Sequence, residues 1–75
     1  MITCSALRGS EPLRFVWFKD GHPIADDAIL LDTKPFGSTL SIMGVQVAHG
    51  GNYTCRVQNE FGHDSMSVVL KVSSE

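Results

Sequence analysis

Charge, cysteine and long hydrophobic runs are all scarce in this sequence. Its 75 residues carry 6 basic and 8 acidic side chains, with a net charge of −2, so no basic face is available for a nucleic acid backbone. The longest aliphatic run, Ala28–Leu31, is far shorter than the roughly 20 residues of a membrane span, so we expect no direct membrane insertion by this segment. The 2 cysteines allow at most one internal disulfide.

Catalytic and metal-binding motifs are also missing. The sequence has no glycine-flanked nucleophile, no HExxH motif and no phosphate-binding loop. The adjacent Asp26 and Asp27 lack the spaced oxygen ligands of a calcium loop, which favours a solvated turn. We therefore expect a protein that is not an enzyme, with no cofactor and no metal site.

The sequence does contain enough apolar material for one folded domain. Apolar residues make up 43% of the chain and charged residues 19%, a balance too hydrophobic for intrinsic disorder. A domain of this size buries only about 60% of the surface of its unfolded chain. Its small core therefore often needs an additional cross-link, such as a disulfide, for stability.

The dominant period of the hydrophobic pattern is two, which is typical of half-buried strands. Inward and outward residues alternate along several segments, which are 1–6, 13–19, 38–42, 53–58 and 65–72. In the last segment, one face is shared by Met66, Val68, Leu70 and Val72. Residues 22–37 are ambiguous, and the pattern leaves open which of Ile29, Leu30 and Leu31 face inward. The short strands and intervening turns predict an all-β antiparallel sandwich or barrel.

Four residues, two of them cysteines, stand on the inward phase of these segments. Trp17 lies between Cys4 and Cys55 along the chain, and Tyr53 precedes Cys55 by two residues. The arrangement resembles an immunoglobulin domain, with cysteines on strands B and F, a tryptophan on strand C and a tyrosine corner. The resemblance implies a Cys4–Cys55 disulfide between two sheets and a core that includes Trp17, Tyr53 and Leu40. Two free thiols or two zinc ligands are the alternatives, although the close cysteine pairs of a zinc site are missing.

Longer motifs narrow the resemblance. Several segments together resemble the I-set of cell-adhesion immunoglobulin domains, namely WFKDG at 17–21, LSI at 40–42, GNYTC at 51–55 and NEFG at 59–62. Pro12–Leu13 in combination with AHGGNYTC at 48–55 is similar to the Dscam (Down syndrome cell adhesion molecule) family, particularly its arthropod members and their shortened chelicerate forms.

Two features depart from that family pattern. His49 occupies a corner position that often holds an acidic residue paired with a basic side chain, and we expect Asp64 or Glu60 to attract it instead. Only residues 1–3 precede Cys4, whereas an I-set domain usually has strands A and A′ before its first cysteine. We therefore expect one immunoglobulin-like β-sandwich over 1–75 that lacks the N-terminal A/A′ strand, is N-terminally incomplete and has an exposed strand edge.

Outward residues of the strands supply two candidate interfaces. The Dscam resemblance implies contact through one sheet, whose outer face we expect to be small, uncharged and flat, with candidate interface residues Thr3, Ser5, Thr39, Ser41 and Met43. The alternative interface is an apolar patch beside an arginine on the other sheet, formed by Val16, Phe18, Arg56, Gln58 and Val69. Ordinary surface is the competing interpretation of both sets, since single exposed apolar residues are common.

One sequon is present, Asn52-Tyr53-Thr54, which makes Asn52 a candidate site for an N-glycan. The alternation puts Asn52 and Thr54 on the solvent side of their strand. An unmodified motif that merely suits the corner is the alternative.

The Dscam resemblance implies an extracellular recognition module in the ectodomain of a single-pass cell-surface protein. Its partner would be an identical domain on an opposing cell, which gives a homodimer, and not a nucleic acid. Two other functions remain open. One is a structural I-set spacer in a muscle or matrix protein, and the other is a heterophilic ligand-binding domain of an immunoglobulin receptor.

Overall fold

Two antiparallel sheets form the molecule in a computed structural model, which describes residues 1–5 and 12–73. The strands are β1 (Ile2–Ser5), β2 (Arg14–Lys19), β3 (His22–Pro23), β4 (Ile29–Lys34), β5 (Gly37–Ile42), β6 (Gly51–Asn59) and β7 (Gly62–Leu70). A 3₁₀ turn spans Val47–His49. The strand order is β1–β5–β4 in one sheet and β3–β2–β6–β7 in the other, which confirms the predicted all-β sandwich.

Some strands end at other residues than predicted, in segments where apolar and polar side chains do not alternate. Ala6, which the pattern assigned to the first strand, lies outside the described residues. β6 and β7 both extend further towards their common turn, since they pair from Gly51↔Leu70 as far as Asn59↔Gly62. The polar start of β7 is held by this pairing rather than by burial, so the hydrophobic pattern could not reveal it.

Asp20 and Gly21 form the tight turn between β2 and β3. Asp20 and Gly21 have φ values of 50° and 82°, the left-handed pair that a two-residue hairpin turn requires. The Asp20 carboxylate also accepts a hydrogen bond of 2.9 Å from the Asn52 N–H. A Cβ atom at Gly51 would lie 2.8 Å from Asp20 Oδ2, so glycine lets the turn close on the start of β6.

β4 resolves the ambiguity at positions 29–31. Ile29 lies opposite Ile42 and Leu31 opposite Leu40, whereas Leu30 lies opposite Ser41. Directly opposite residues share a face of the sheet, so Ile29 and Leu31 face inward. Leu31 nevertheless remains 48% exposed, because β4 is an edge strand of its sheet.

The core lies between the sheets and contains Cys4, Trp17, Ile29, Leu40, Tyr53 and Cys55. A disulfide joins Cys4 to Cys55, with their Cα atoms 6.4 Å apart, and bridges the sheets as the immunoglobulin resemblance implied. Trp17 adds a second bridge, because its indole N–H donates a 2.8 Å hydrogen bond to Ser38 Oγ on β5. Trp17, Tyr53 and Leu40 are therefore core residues, as predicted.

Candidate recognition faces

The outer face of the β1–β5–β4 sheet brings most of the first predicted set together. Thr3 lies opposite Thr39, and both alternate with buried neighbours that face the core. Ser5 lies opposite Gly37, and Ser41 opposite Leu30 of β4. The hydroxyl side chains of these four residues thus form one continuous surface, and Leu30 lies at its border.

Met43 stands apart from that row. It follows the last residue of β5, its N–H donates a 2.8 Å hydrogen bond to the Ala28 carbonyl, and it is 62% exposed. It therefore lies at the end of the sheet and not within the paired part of its outer face.

The expectation that this face is uncharged is wrong. Asp32 lies opposite Thr39 and Lys34 opposite Gly37, so both charged side chains share the outer face. Lys34 Nζ lies 3.7 Å from Asp32 Oδ2, in an exposed ion pair that contributes little to stability. The sequence pattern missed these residues because β4 lies in the segment that it left ambiguous.

This face also contains a depression of about 340 Å³. Thr3 and Thr39 line it from the strands, and Phe36 of the β4–β5 turn lines its other side. Phe36 is 50% exposed, so an aromatic ring is available to a partner beside the ion pair.

The alternative set lies on the outer face of the other sheet. Val16 lies opposite Arg56, and Phe18 opposite Thr54, across the pairing of β2 with β6. These two apolar side chains are half-buried rather than exposed. Gln58 lies opposite Arg14 at the far end of the face.

Val69 is the strongly exposed apolar residue of this set, at 63%. It lies opposite Asn52, so the sequon asparagine shares the outer face with the alternative patch. The residues of the alternative interface thus lie on one face of this sheet, although two of its three apolar side chains, Val16 and Phe18, are half-buried.

A network at the 3₁₀ turn fixes how the chain enters β6. The Tyr53 hydroxyl donates a 2.6 Å hydrogen bond to the His49 carbonyl, and Tyr53 is fully buried. The Gln46 N–H donates to His49 Nδ1 at 2.9 Å, so that nitrogen carries no proton. His49 Nε2 must then carry the proton and donate it to Asp26 Oδ2 at 3.1 Å.

His49 therefore pairs with Asp26, and the expectation that Asp64 or Glu60 would attract it is wrong. Asp26 lies in the irregular segment before β4, where its other oxygen accepts a 2.8 Å hydrogen bond from the Ala28 N–H. The Ala28 hydrogen bond first, and then His49, hold the pKa of Asp26 below its usual value. Burial raises the pKa of Tyr53 above its usual value, and the charges of Asp20 and Asp26 raise it further.

The free edge of β7 leaves inward-facing residues uncovered. Met66 lies opposite Cys55 and Val68 opposite Tyr53, so both share the inward face, as the alternation predicted. They are nevertheless 55% and 45% exposed, because no strand among the described residues pairs with the outer edge of β7. A groove of about 330 Å³ results, and Cys4 lines its opposite wall.

Two other features are absent from the described residues, a metal-binding cluster and a membrane-spanning helix. Within 1–5 and 12–73, histidine, cysteine and carboxylate side chains form no cluster that could hold a metal ion. No helix in the same ranges is long and apolar enough to cross a membrane.

Cell adhesion molecules are among the known proteins with a similar sequence. The chain is 38% identical to the cell adhesion molecule DSCAM of Rattus norvegicus over 72 residues, which cover 91% of this chain and 4% of that protein. It is 34% identical to the cell adhesion molecule Dscam2 of Drosophila melanogaster over 73 residues, which cover 92% of this chain and 3% of that protein. The chain thus spans a small fraction of the length of these relatives.

Solved structures have the same fold. The Dscam1 Ig7 domain, isoform 5, superimposes with a TM-score of 0.89 at 27% identity, covering 95% of this chain and 75% of that one. The I-band fragment I67–I69 from titin superimposes with a TM-score of 0.84 at 28% identity, covering 92% of this chain and 24% of that one. The sequence model of the immunoglobulin I-set domain matches residues 1–72. The resemblance to Dscam is confirmed, and the chain belongs to the immunoglobulin I-set family.

Proposed function

We propose that this chain is an extracellular adhesion module that binds an identical copy of itself through the outer face of the β1–β5–β4 sheet. The observation that carries the proposal is the arrangement of Asp32 and Lys34, which lie side by side on that face. Its relatives are named cell adhesion molecules, which supports a role in adhesion.

Two-fold symmetry makes the charge arrangement self-complementary. In an isologous contact, one patch meets its own copy in the reverse orientation. A two-fold axis close to the ion pair sets Asp32 of one copy against Lys34 of the other, and the reverse pair forms at the same time. The small side chains of Thr3, Ser5 and Thr39 allow the two faces to approach closely.

Charge reversal tests this contact. Beads coated with the chain should cluster, and Asp32→Lys should abolish clustering because two lysines from each copy would then face each other. The exchanged variant Asp32→Lys/Lys34→Asp should cluster with itself, because the opposite charges are restored. It should not mix with wild-type beads, since like charges then meet across the contact and repel.

A matched control makes the same charge change elsewhere. Asp64→Lys alters β7 on the other sheet, where Asp64 is exposed, and should leave clustering unchanged. The proposal fails if wild-type beads do not cluster, or if Asp32→Lys clusters as well as the wild type. Wild-type beads that bind only a different protein would instead favour the heterophilic receptor function.

The proposal also includes the cellular location of the chain. We place the chain in the ectodomain of a single-pass cell-surface protein, which is consistent with the Cys4–Cys55 disulfide and with the Dscam relatives. Disulfides persist in oxidising compartments and are rare in the cytosol. Mass measurement of native material before and after reduction should detect the disulfide, and free thiols in that material would refute export.

A spacer module is the second candidate function, favoured by the likeness to the titin I-band fragment. Spacer domains need no self-complementary outer face, so this function predicts that charge exchange at Asp32 and Lys34 has no effect on any clustering.

A further inference from the structure

Asn52 combines an exposed side chain with a backbone that is held in place. It is exposed at the second position of β6, and its neighbour Tyr53 is fully buried, so the Asn52 side chain lies on the outer face. Its backbone is fixed, because its N–H and carbonyl both bond to Asp20, at 2.9 and 2.8 Å. In the part of the chain that the structure describes, the side-chain amide makes no hydrogen bond of its own.

We propose that Asn52 carries an N-linked glycan, and that this glycan covers the outer face of the β3–β2–β6–β7 sheet. The proposal rests on the export of the chain, which belongs to the proposed function, but not on self-binding. The sugar donor is a lipid-linked oligosaccharide pyrophosphate. A bond forms between the Asn52 amide nitrogen and C1 of the first sugar, the C1–O bond to pyrophosphate breaks, and the lipid pyrophosphate leaves with the amide proton.

The position of Thr54 sets the timing of this reaction. The sequon needs the Thr54 hydroxyl, but in the fold that hydroxyl is bonded to Ser67 Oγ at 2.8 Å. Residues 52–54 also pair with β7 along their whole length, which holds their backbone extended, so the acceptor sequence is free only before these two strands pair. Modification must precede folding, and the finished fold then holds the glycan on an outward position of a paired strand.

The glycan would lie over the alternative interface. Val69 is directly opposite Asn52, and directly opposite residues have Cβ atoms about 4.5–5.5 Å apart. The first sugar is therefore in contact range of Val69, and the branches beyond it extend over Phe18 and Thr54. This leaves the outer face of the β1–β5–β4 sheet as the unshielded broad surface, which is the face that carries Asp32 and Lys34.

Secretion of the full chain from eukaryotic cells tests the modification. The chain is expressed behind a secretion signal and treated with peptide N-glycosidase in heavy-oxygen water, which labels position 52 if a glycan was present. We expect label in the wild type, in Thr54→Ser, which keeps the sequon, and in Ser67→Ala, which removes only the hydroxyl partner. Asn52→Gln and Thr54→Val should lack the glycan mass. Secreted wild type that contains the Cys4–Cys55 disulfide but no label would overturn the proposal and leave export intact.

Hydroxyl-radical labelling tests the shielding. Enzymatic removal of the glycan from folded protein should raise the labelling of Val69 and Phe18. Met43 is an internal control, because it is exposed at the end of the other sheet and its labelling should not change. Equal labelling of Val69 with and without the glycan would overturn the claim that this face is covered.

Discussion

Ser38 joins the two sheets through a buried hydrogen bond, and Ser38→Ala tests how strongly that bond stabilises the fold. Ser38 is 1% exposed and Trp17 4% exposed, and the distance between Ser38 Oγ and Trp17 Nε1 is 2.8 Å. An indole N–H can only donate. Alanine at position 38 therefore leaves the Trp17 N–H buried without an acceptor.

The expected cost follows from that unpaired donor. Leaving a buried donor unsatisfied costs about 1–3 kcal/mol, and removal of one oxygen adds only a small void. The second partner of Ser38 is Thr33 Oγ1 at 2.9 Å, but Thr33 is exposed and its hydroxyl can turn to water. We expect a loss of about 2 kcal/mol in the free energy of unfolding, or a fall of about 8–16 °C in Tm for a domain of this size.

Urea unfolding measures this loss directly, because Trp17 is the only tryptophan and its fluorescence reports on the core. Ser41→Ala is the matched control on the same strand, since Ser41 lies on the outer face, and it should change stability by no more than about 0.5 kcal/mol. The bond is then isolated in a Trp17→Phe background, where no N–H remains and Ser38→Ala should cost clearly less. Equal losses in both backgrounds would refute the assigned hydrogen bond, and circular dichroism provides the signal there.

Three further outcomes are expected from urea midpoints. Tyr53→Phe should cost about 1–3 kcal/mol through the unsatisfied His49 carbonyl. It should also remove a stability loss above about pH 10, since the raised pKa of Tyr53 favours the native state only while the hydroxyl is protonated. Asp26→Asn should flatten the acid limb, because the lowered pKa of Asp26 stabilises the native state above about pH 4 and that gain disappears as pH falls. An unchanged acid limb would contradict the hydrogen bonds assigned to this carboxylate, first from Ala28 and then from His49. Leu40→Ala should cost about 2–5 kcal/mol and Met66→Ala only about 1 kcal/mol, and equal costs would mean that the β7 edge is covered in solution.

Sequence alternation predicted the inward residues well because side-chain direction in a strand is a local property. Tyr53 and Cys55 face the core for the same reason that Met66 and Val68 do, namely their phase along paired strands. Burial is a non-local property, because it also requires a second layer or a neighbouring strand to cover the side chain. The pattern could therefore predict which way Met66 faces, but not that it would remain 55% exposed.

The sequence pattern could not identify Asp26 as the partner of His49, for a related reason. Asp26 is 23 residues away, in a segment with no regular period. The pattern assigns neither a phase nor a direction to a side chain in such a segment. Only the packing of that segment against the 3₁₀ turn brings the carboxylate to the imidazole.

The charged part of the candidate interface depends on the register of a single edge strand. Because side chains in a strand alternate, a shift of β4 by one residue would turn Leu31 outward and carry Asp32 towards the core. Ile29 opposes that shift, since it is 9% exposed and packs in the core opposite Ile42. The outward direction of Asp32, and with it the proposed self-recognition, is thus set by the burial of an isoleucine at the other end of the strand. Ile29→Ala should therefore weaken bead clustering as well as stability, whereas Tyr53→Phe, which alters a strand of the other sheet, should affect stability alone.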